Sequence, residues 1–399
     1  MAKTVYKKKI KNGKEYYFYR LRHENLTKPK DIYGTTIKEL EGKIKAARQE
    51  LDNNIQNNKQ YFEAFFADWL FDVHFLKLKP SSKEKYEGIY RNYIKNSSLS
   101  TIKVKEISLK DVQEYYNKLH SNGSSVSCIG NINKLIAPCI RYAYNNNLIL
   151  KDFTKAIILP KKTEDEKMSK KDDVIPFTLD EQKRFIAAIK GHQLEMLFLF
   201  ALNTGLRQGE LLSLTWNDID LNNCLVTVNK TVRMASDVTR EGRGKLKVQV
   251  QTPKTYKAYR TISFPIALKE PLKLYKTNQE AHKNKLANLY QDNNLIFCNE
   301  YGKYLDSSNV RKRLNKIVDD INSKEDDPNK KIARRKFHDL RHTFATRLFE
   351  LNEHPKTVQE LLGHSNVSIT LDTYTHVLDS LKTNAVSKLN DLFLAMDDN

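Results

Sequence analysis

Residues 338–349 read HDLRHTFATRLF and predict a helix that begins near the first histidine. His338 and Arg341 are three positions apart, so both side chains can reach one anion from the same side of the helix. His342 lies four positions after His338, which is also the spacing of a zinc pair. We disfavour zinc for two reasons. The acid that metalloproteases place directly after the first histidine is an aspartate here, Asp339. In addition, the cationic Arg341 between the two histidines would repel the metal. The stretch therefore predicts an anion site without a metal.

Four other stretches contain residues that packing alone does not explain. Arg207 and Glu210 lie near a predicted helix start, where Glu210 can orient the guanidinium while its other nitrogens bind a phosphate. In isolation this pair would be an ordinary surface ion pair, and Lys254 an ordinary solvated lysine in a turn. Together the stretches predict a cationic site for one phosphodiester, with Tyr374 placed to attack it. They read TGLRQGEL (204–211), TPKTYKAYRTI (252–262), LLGH (361–364) and LDTYTH (371–376).

The charge of the chain indicates a polyanionic partner. Its 68 basic and 48 acidic residues leave a formal net charge of +20, and such an excess attracts nucleic acid. A length of 399 residues, of which 40% are hydrophobic, predicts two or three folded domains. The longest apolar run, residues 196–202, is too short to cross a bilayer, and no secretory signal is evident, so we expect a cytoplasmic protein. The 4 scattered cysteines predict reduced structural thiols.

Residues 1–56 predict a small basic domain. Two strands joined by an Asn-Gly turn, a third strand near 31–34 and a helix over about 36–52 give a three-stranded sheet with one helix. Alternation in EYYFYRLR (15–22) places one aromatic face against the helix and arginines on the other face, which fits the major groove. A solvated sheet without a DNA partner is the alternative. The candidate DNA contacts are Lys7, Lys8, Lys9, Arg20 and Arg22.

Residues 57–160 predict a helical domain. Apolar side chains recur at helical spacing in YFEAFFADWLFDVHF (61–75), and we interpret such aromatic stripes as core rather than as platforms for DNA bases. Lys83 and Lys85 lie beside a stripe as candidate phosphate contacts. Dense mixed charge marks 161–173 as an interdomain linker. Further helices are predicted over 82–95, 108–121 and 126–146.

Residues 174–399 complete a multidomain α+β protein with a mostly α domain and a small antiparallel sheet. Arg334 and Arg335, just before the helix at 338, are further candidate DNA contacts. An apolar stripe over 381–396 predicts a terminal amphipathic helix, which either folds onto its own core or docks on a neighbouring protomer. Short strands are predicted over 224–232, 245–251 and 260–264.

These motifs resemble those of the tyrosine recombinases, the integrase family of phages and conjugative elements. The resemblance rests on five separated stretches in the right order, with matching spacing inside HDLRHT and between LLGH and the tyrosine. It implies a catalytic domain with a C-terminal exchange helix over 174–399 and a helical core-binding domain within 57–160. Residues 1–56 resemble, more weakly, the three-stranded arm-binding domains of mobile-element integrases.

The resemblance also implies roles for the motif residues. Arg207, Arg341 and His364 would stabilise the charge that grows at phosphorus. His338 would assist proton transfer at the tyrosine. The tyrosine would attack to form a 3′-phosphotyrosyl link, and the lysine would protonate the departing 5′ oxygen. No metal or other cofactor is needed. The residues are Arg207 with its supporting Glu210, Lys254, His338, Arg341, His364 and the nucleophile Tyr374.

The partner implied is double-stranded DNA with core and arm sites, bound by a homotetramer that holds two duplexes, without a membrane. An excisionase and a DNA-bending accessory protein are candidates for setting the direction of the reaction. The leading interpretation is an integrase that inserts and excises a mobile element, because the basic amino-terminal sheet favours arm-site binding. The alternatives are a recombinase that resolves chromosome or plasmid dimers, a type IB topoisomerase-like strand transferase, and a DNA-binding regulator without catalysis.

Overall fold

The computed structural model describes residues 6–26, 28–52, 59–161, 163, 175–252 and 259–373. Two compact units are formed, the first by Met1–Lys162 with Ser236–Gly244 and the second by Thr163–Ala235 with Lys245–Asn399. The predicted bounds of the three domains stay predictions. Most of the predicted linker at 161–173 and the predicted terminal helix at 381–396 lie outside the described residues.

The amino-terminal sheet of the first unit has three antiparallel strands in sequential order, β1 (Lys7–Lys11), β2 (Lys14–Leu21) and β3 (Lys30–Gly34). Asn12 and Gly13 connect β1 to β2 with φ of 52° and 73°, the left-handed geometry that an Asn-Gly turn adopts. Helix α1 (Ile37–Asp52) packs against one face of the sheet, as the alternating sequence predicts. The core between them consists of Leu21, Ile32, Leu40, Ile44 and Ala47.

The rest of the first unit is helical. Two of its helices continue into a single turn of π-helix, at Trp69–Val73 and Tyr90–Ile94. Serine hydroxyls of Ser108 and Ser125 cap the two longer helices by accepting a backbone N–H. The aromatic stripes are buried in one core, which confirms their interpretation as packing residues. The helices are α2 (Phe62–Asp68), α3 (Pro80–Ile89), α4 (Leu109–Ser121) and α5 (Val126–Asn145).

Segment Ser236–Gly244 belongs to this first unit, although it is remote from the rest of the unit in sequence. Arg240 lies 2.8 Å from Asp68, and the Arg243 guanidinium donates to buried Glu87. No strand or helix was predicted for these residues, because alternation there is weak and mixed charge resembles a loop. In the structure they include the end of the strand Thr231–Thr239 and the start of the strand Gly242–Gln251, whereas one strand was predicted over 224–232 and the other over 245–251.

The second unit is mixed, which confirms the predicted α+β class. One antiparallel sheet has the order β4 (Ile219–Asp220), β5 (Leu225–Val228) and β8 (Arg260–Ser263). A separate pair is formed by β6 (Thr231–Thr239) and β7 (Gly242–Gln251), of which residues 236–244 belong to the first unit. Among the described residues, none of the helices combines the length and apolar character needed to span a bilayer. The helices are α6 (Leu179–Ala188), α7 (Glu195–Thr204), α8 (Gln208–Leu211), α9 (Lys269–Leu286), α10 (Ser307–Asn322), α11 (Phe337–Glu350), α12 (Pro355–Leu362) and α13 (Val367–Thr373).

Helix α7 is the centre of the second core. Seven of its ten residues are buried, because apolar side chains cover nearly all of its surface, and it packs against α11. Gly205 ends α7 with a φ of 61°. A Cβ at this position would clash with the Phe344 ring and lie 3.1 Å from Leu362 Cδ2. Glycine is therefore required both by the left-handed backbone and by the close approach of two neighbouring helices.

Substituting Gly205→Ala is expected to destabilise the protein by about 2–4 kcal/mol, because left-handed strain adds to overpacking. The matched control is Gly191→Ala. Gly191 also has a left-handed φ, of 75°, but its added Cβ would meet no atom within 4 Å. The control should lose only the backbone cost of about 1–2 kcal/mol. Urea denaturation followed by circular dichroism measures both, and equal losses would contradict the packing argument.

Candidate active site

Arg207 lies two residues after left-handed Gly205 and is the N-cap residue of α8. Its backbone N–H donates to Glu210 Oε2 at 3.0 Å, and its Nη1 donates to Glu210 Oε1 at 2.8 Å. The Arg207 side chain is 38% exposed, whereas the carboxylate is nearly buried. The predicted geometry, in which Glu210 orients the guanidinium from three positions away, is therefore present, and the exposed part of Arg207 faces solvent.

Arg260 is a second partner of Glu210 that the sequence analysis missed. Its Nη2 donates to Glu210 Oε2 at 2.9 Å, and its side chain is only 7% exposed. A signal was present in the sequence: on β8, alternation puts Arg260 on the same face as buried Ile262 and Phe264. An arginine on an apolar face requires an acid nearby, and Glu210 is that acid.

Arg341 is the most buried of the three arginines, with 2% exposure. It lies in the second turn of α11, so the predicted helix at 338 positions it. Its Nη1 donates to the Gly205 carbonyl at 2.8 Å, and its Nη2 donates to the Leu362 carbonyl at 2.6 Å. These two bonds join the end of α7 to the end of α12 through one side chain.

Three successive carbonyls at the end of α12 each accept from a different arginine. The Leu361 carbonyl accepts from Arg260 Nε at 3.0 Å, and the Gly363 carbonyl accepts from Arg207 Nη2 at 3.3 Å. Arg341 binds the Leu362 carbonyl between them. The last carbonyls of a helix have no partner within the helix and carry partial negative charge, so they attract cations. The end of α12 thereby brings together arginines from three distant stretches of the chain.

The charge of Glu210 is maintained by its two arginine partners. Burial acts to raise the pKa of this carboxyl, but the hydrogen bond and charge of Arg260 and the charge of Arg207 outweigh burial. The net result lowers the pKa of Glu210 to about 2. The Glu210 carboxylate is therefore ionised at neutral pH and accepts hydrogen bonds from the guanidinium groups of both Arg207 and Arg260.

Three histidines lie near the arginine cluster. Partial burial, together with the charges of Arg341 and Arg207, lowers the pKa values of His338 and His364 to about 4. His338 keeps a solvent-exposed edge, and its ring meets that of His342 edge to face at a centroid distance of 4.7 Å. Burial lowers the pKa of His342 to about 3. At neutral pH all three rings are uncharged, so each has one N–H donor and one acceptor nitrogen.

His364 follows the left-handed Gly363 that ends α12. Its backbone is held by Gln359, whose Nε2 donates to the His364 carbonyl at 2.6 Å. Its ring is held by Thr370 of α13, with 2.8 Å between Nδ1 and the hydroxyl oxygen. Within the described part of the chain no group of three or more histidine, cysteine or carboxylate side chains is arranged to bind a metal.

Two predicted catalytic residues, Lys254 and Tyr374, lie outside the described residues. In the sequence Lys254 falls between β7 and β8, three residues after the end of β7. Tyr374 is the residue that directly follows α13. Among the predicted site residues that the structure does describe, it brings together Arg207, Glu210, Arg341 and His364 at the end of α12.

The two basic residues before α11 differ in environment. Arg334 is exposed and pairs with Asp319 at 2.9 Å, a position from which it can still reach a polyanion. The structure contradicts the prediction that Arg335 contacts DNA, because its guanidinium is buried and already neutralised by the carboxylate of Glu181, whereas Arg341 donates to two uncharged carbonyls. Arg335 Nη2 donates to Glu181 at 2.9 Å, and its guanidinium lies over the Phe177 ring. Both arginines were predicted to contact DNA, but these successive side chains, which precede the first residue of α11, differ in burial.

The candidate contacts in the amino-terminal sheet divide between its faces. Strand pairing puts Lys7 and Lys9 on the outer face with Phe18, and Lys9 Nζ lies 4.1 Å from the Phe18 ring centre. Arg20 shares this face but forms a two-point ion pair with Asp31. Lys8 points to the opposite face and pairs with Glu15, and Arg22 is exposed. Of the two lysines predicted to contact phosphates, Lys83 lies over the Phe75 ring, and exposed Lys85 donates to Asn131.

Comparison with known proteins assigns the family. The model of the phage integrase family matches residues 177–380, and the model of the phage integrase N-terminal SAM-like domain matches residues 61–120. A tyrosine recombinase XerC-like protein of Caldanaerobacter subterraneus subsp. tengcongensis is 39% identical over 401 residues, covering 96% of this chain and 98% of the relative. The ICEBs1 integrase of Bacillus subtilis is 24% identical, covering 89% of both chains.

The fold is shared with solved integrases. A structure of the Tn1549 transposon integrase in complex with transposon right end DNA has a TM-score of 0.62 at 20% sequence identity, covering 81% of this chain and 97% of that chain. The chain belongs to the phage integrase family of tyrosine recombinases, and it is an enzyme that cleaves and rejoins DNA strands.

Proposed function

We propose that this recombinase integrates and excises a mobile DNA element through a 3′-phosphotyrosyl intermediate on Tyr374. The observation that carries the proposal is the meeting of Arg207 and Arg341 at the carbonyl end of α12, beside His364. Relatives named as integrases of mobile elements, among them the ICEBs1 integrase, support the same substrate class. The basic outer face of the amino-terminal sheet supports an arm-site contact as well.

The arginines would bind the nonbridging oxygens of the scissile phosphate. Glu210 and a backbone carbonyl hold Arg207 through Nη1 and Nη2, and the guanidinium has five N–H donors in a fixed plane. The donors that do not face these partners are the ones that we assign to the phosphate. Because both arginines are already oriented by protein atoms, little reorganisation is needed when charge grows at phosphorus. Losing one such donor typically costs about 3–4 kcal/mol of transition-state stabilisation.

The histidines would act as neutral groups. His338 is uncharged at neutral pH and would accept the proton of the Tyr374 hydroxyl as that oxygen bonds to phosphorus, a step for which the anionic phosphodiester must raise the pKa of the ring from about 4. The bond from phosphorus to the 5′ oxygen breaks, and Lys254 would supply the proton that the leaving oxygen takes up. His364 would donate its ring N–H to a nonbridging oxygen. Attack by another 5′ hydroxyl reverses these transfers and restores the tyrosine, so rejoining needs no external energy source.

Assembly would follow from the need to exchange strands between two duplexes. We propose a homotetramer in which each protomer binds one core half-site, with the terminal segment after residue 380 docking on a neighbouring protomer. An excisionase and a DNA-bending protein would bias the direction of the reaction. Localisation in the cytoplasm follows in this proposal from the substrate, which is chromosomal and element DNA.

Resolution of chromosome dimers is the second candidate function. The name of the 39% identical relative, tyrosine recombinase XerC-like, favours it. The two functions differ in whether a second DNA site is bound by the amino-terminal sheet. An arm-type contact is needed by the mobile-element proposal and not by dimer resolution.

Covalent capture tests the reaction. A suicide oligonucleotide built from the repeats that flank the gene should form a protein–DNA adduct with the parent, because cleavage releases a short fragment and prevents rejoining. Tyr374→Phe should form no adduct while still binding the DNA. Tyr301→Phe, which changes an exposed tyrosine outside the site, is the control and should react like the parent. An adduct with Tyr374→Phe would refute the assigned nucleophile.

Arm binding can be tested with two neighbouring lysines of equal charge. Lys9→Ala should weaken binding to a duplex from the element end and reduce the slope of log K against log salt by about 0.9, the value for one phosphate contact. Lys8→Ala should change both quantities less, because Lys8 lies on the opposite face of the sheet and pairs with Glu15. Fluorescence anisotropy over a range of salt concentrations measures the slopes. Equal effects of the two substitutions would contradict binding through the outer face.

A further inference from the structure

Thr370 is a buried side chain in α13 that the proposed mechanism does not use. It has no exposed surface, and its hydroxyl oxygen lies 2.8 Å from His364 Nδ1. Within the described residues, that nitrogen is the one hydrogen-bond partner of the hydroxyl. Two other buried helical threonines behave differently, since Thr204 and Thr343 donate to the carbonyl four residues earlier.

The contact favours one of the two positions for the proton of the neutral His364 ring. A neutral imidazole has one N–H donor and one acceptor nitrogen. If Nδ1 carried the proton, it would donate to the Thr370 oxygen, and the hydroxyl hydrogen would be buried without an acceptor. Leaving a buried donor unpaired costs about 1–3 kcal/mol. The favoured arrangement has the hydroxyl donating to Nδ1, which leaves the proton on Nε2.

We infer that Thr370 is a positioning residue that holds His364 in the tautomer able to donate from Nε2. This inference rests on the proposed role of His364 as a donor to the scissile phosphate. His364 then needs no net charge to act, which agrees with the arginines around it, because a protonated ring would be repelled by Arg341 and Arg207. The arginines supply charge, and His364 supplies a directed N–H.

The same bond connects the phosphate site to the segment that carries the nucleophile. His364 lies just after α12, whereas Thr370 lies in α13, four positions before Tyr374 in the sequence. The hydroxyl therefore ties the start of the Tyr374 segment to the end of α12, where the three arginines meet. Loss of the hydroxyl should impair the chemical step rather than the binding of DNA.

The tautomer can be read directly, without any DNA reaction. Protein labelled with ¹⁵N-histidine, with the His364 signals identified by their loss in His364→Trp, should show Nε2 protonated at neutral pH in two-bond proton–nitrogen correlations. Thr370→Val, which keeps the shape and removes the hydroxyl, should populate the Nδ1–H form. Thr370→Ser should keep the Nε2–H form. An Nδ1–H ring in the parent protein overturns the inference, and this reading stands even if the parent never cleaves DNA.

Cleavage of the suicide substrate then tests the functional consequence. Thr370→Val should cleave about tenfold more slowly at saturating DNA, which corresponds to one hydrogen bond of about 1.4 kcal/mol, with little change in DNA affinity. Thr370→Ser should cleave within about twofold of the parent. If Thr370→Val does not fold, Thr370→Ala removes the same hydroxyl with a smaller side chain. A parent without any adduct would reject the proposed function instead.

A tryptophan background separates positioning from packing. His364→Trp replaces the imidazole with an indole, which has one N–H donor and no acceptor nitrogen for Thr370. In this background, adding Thr370→Val should slow cleavage by less than about twofold, because the two residues act through one bond. A further tenfold loss in the double variant would mean that Thr370 only packs, and would overturn the inference.

Discussion

The carbonyl end of α12 is the feature on which the catalytic unit depends. Three successive carbonyl oxygens there accept from Arg260, Arg341 and Arg207, which come from different stretches of the chain. Guanidinium groups repel one another, so they can be held together only by negative charge nearby. The partial charge of the helix end and the full charge of Glu210 provide it before any DNA is bound. The geometry of the site is thus a property of the folded protein.

This arrangement explains why the histidines near the cluster are neutral. Burial and the surrounding guanidinium charge lower the pKa values of His338 and His364 to about 4, well below neutrality. Charge and proton transfer are therefore divided between residue types. Arginines, which remain protonated, carry the positive charge, and uncharged imidazoles are available to move or direct protons. A tyrosine with an ordinary pKa of about 10 needs both the positive charge of the arginines and a proton acceptor in order to attack at neutral pH.

Local patterns in the sequence were sufficient for much of the fold. The Asn-Gly turn, the alternating strands and the aromatic stripes predicted the sheet and the helical core, because each depends on neighbours within a few residues. The spacing of Arg207 and Glu210 likewise predicted their contact. Arg260 was missed because its partner Glu210 is 50 residues away in the chain, and Arg335 was wrongly predicted to contact DNA because its burial depends on Glu181 and Phe177, more than 150 residues earlier. Thr370 is close to His364 in the chain, but a contact between the end of one helix and the next helix leaves no periodic signal in the sequence. Segment 236–244 was not predicted as strand because its weak alternation and mixed charge resemble a loop.

The most direct test of this account is a structure of the Tyr374→Phe protein bound to uncleaved DNA that contains its core site. The measured quantities are the distances from Arg207 and Arg341 nitrogens to the nonbridging oxygens of the scissile phosphate. The account predicts hydrogen-bond distances for both, with the bonds from the three arginines to the end of α12 still in place. A phosphate bound elsewhere, or arginines that leave those carbonyls in order to reach it, would contradict the claim that the protein prepares the site in advance.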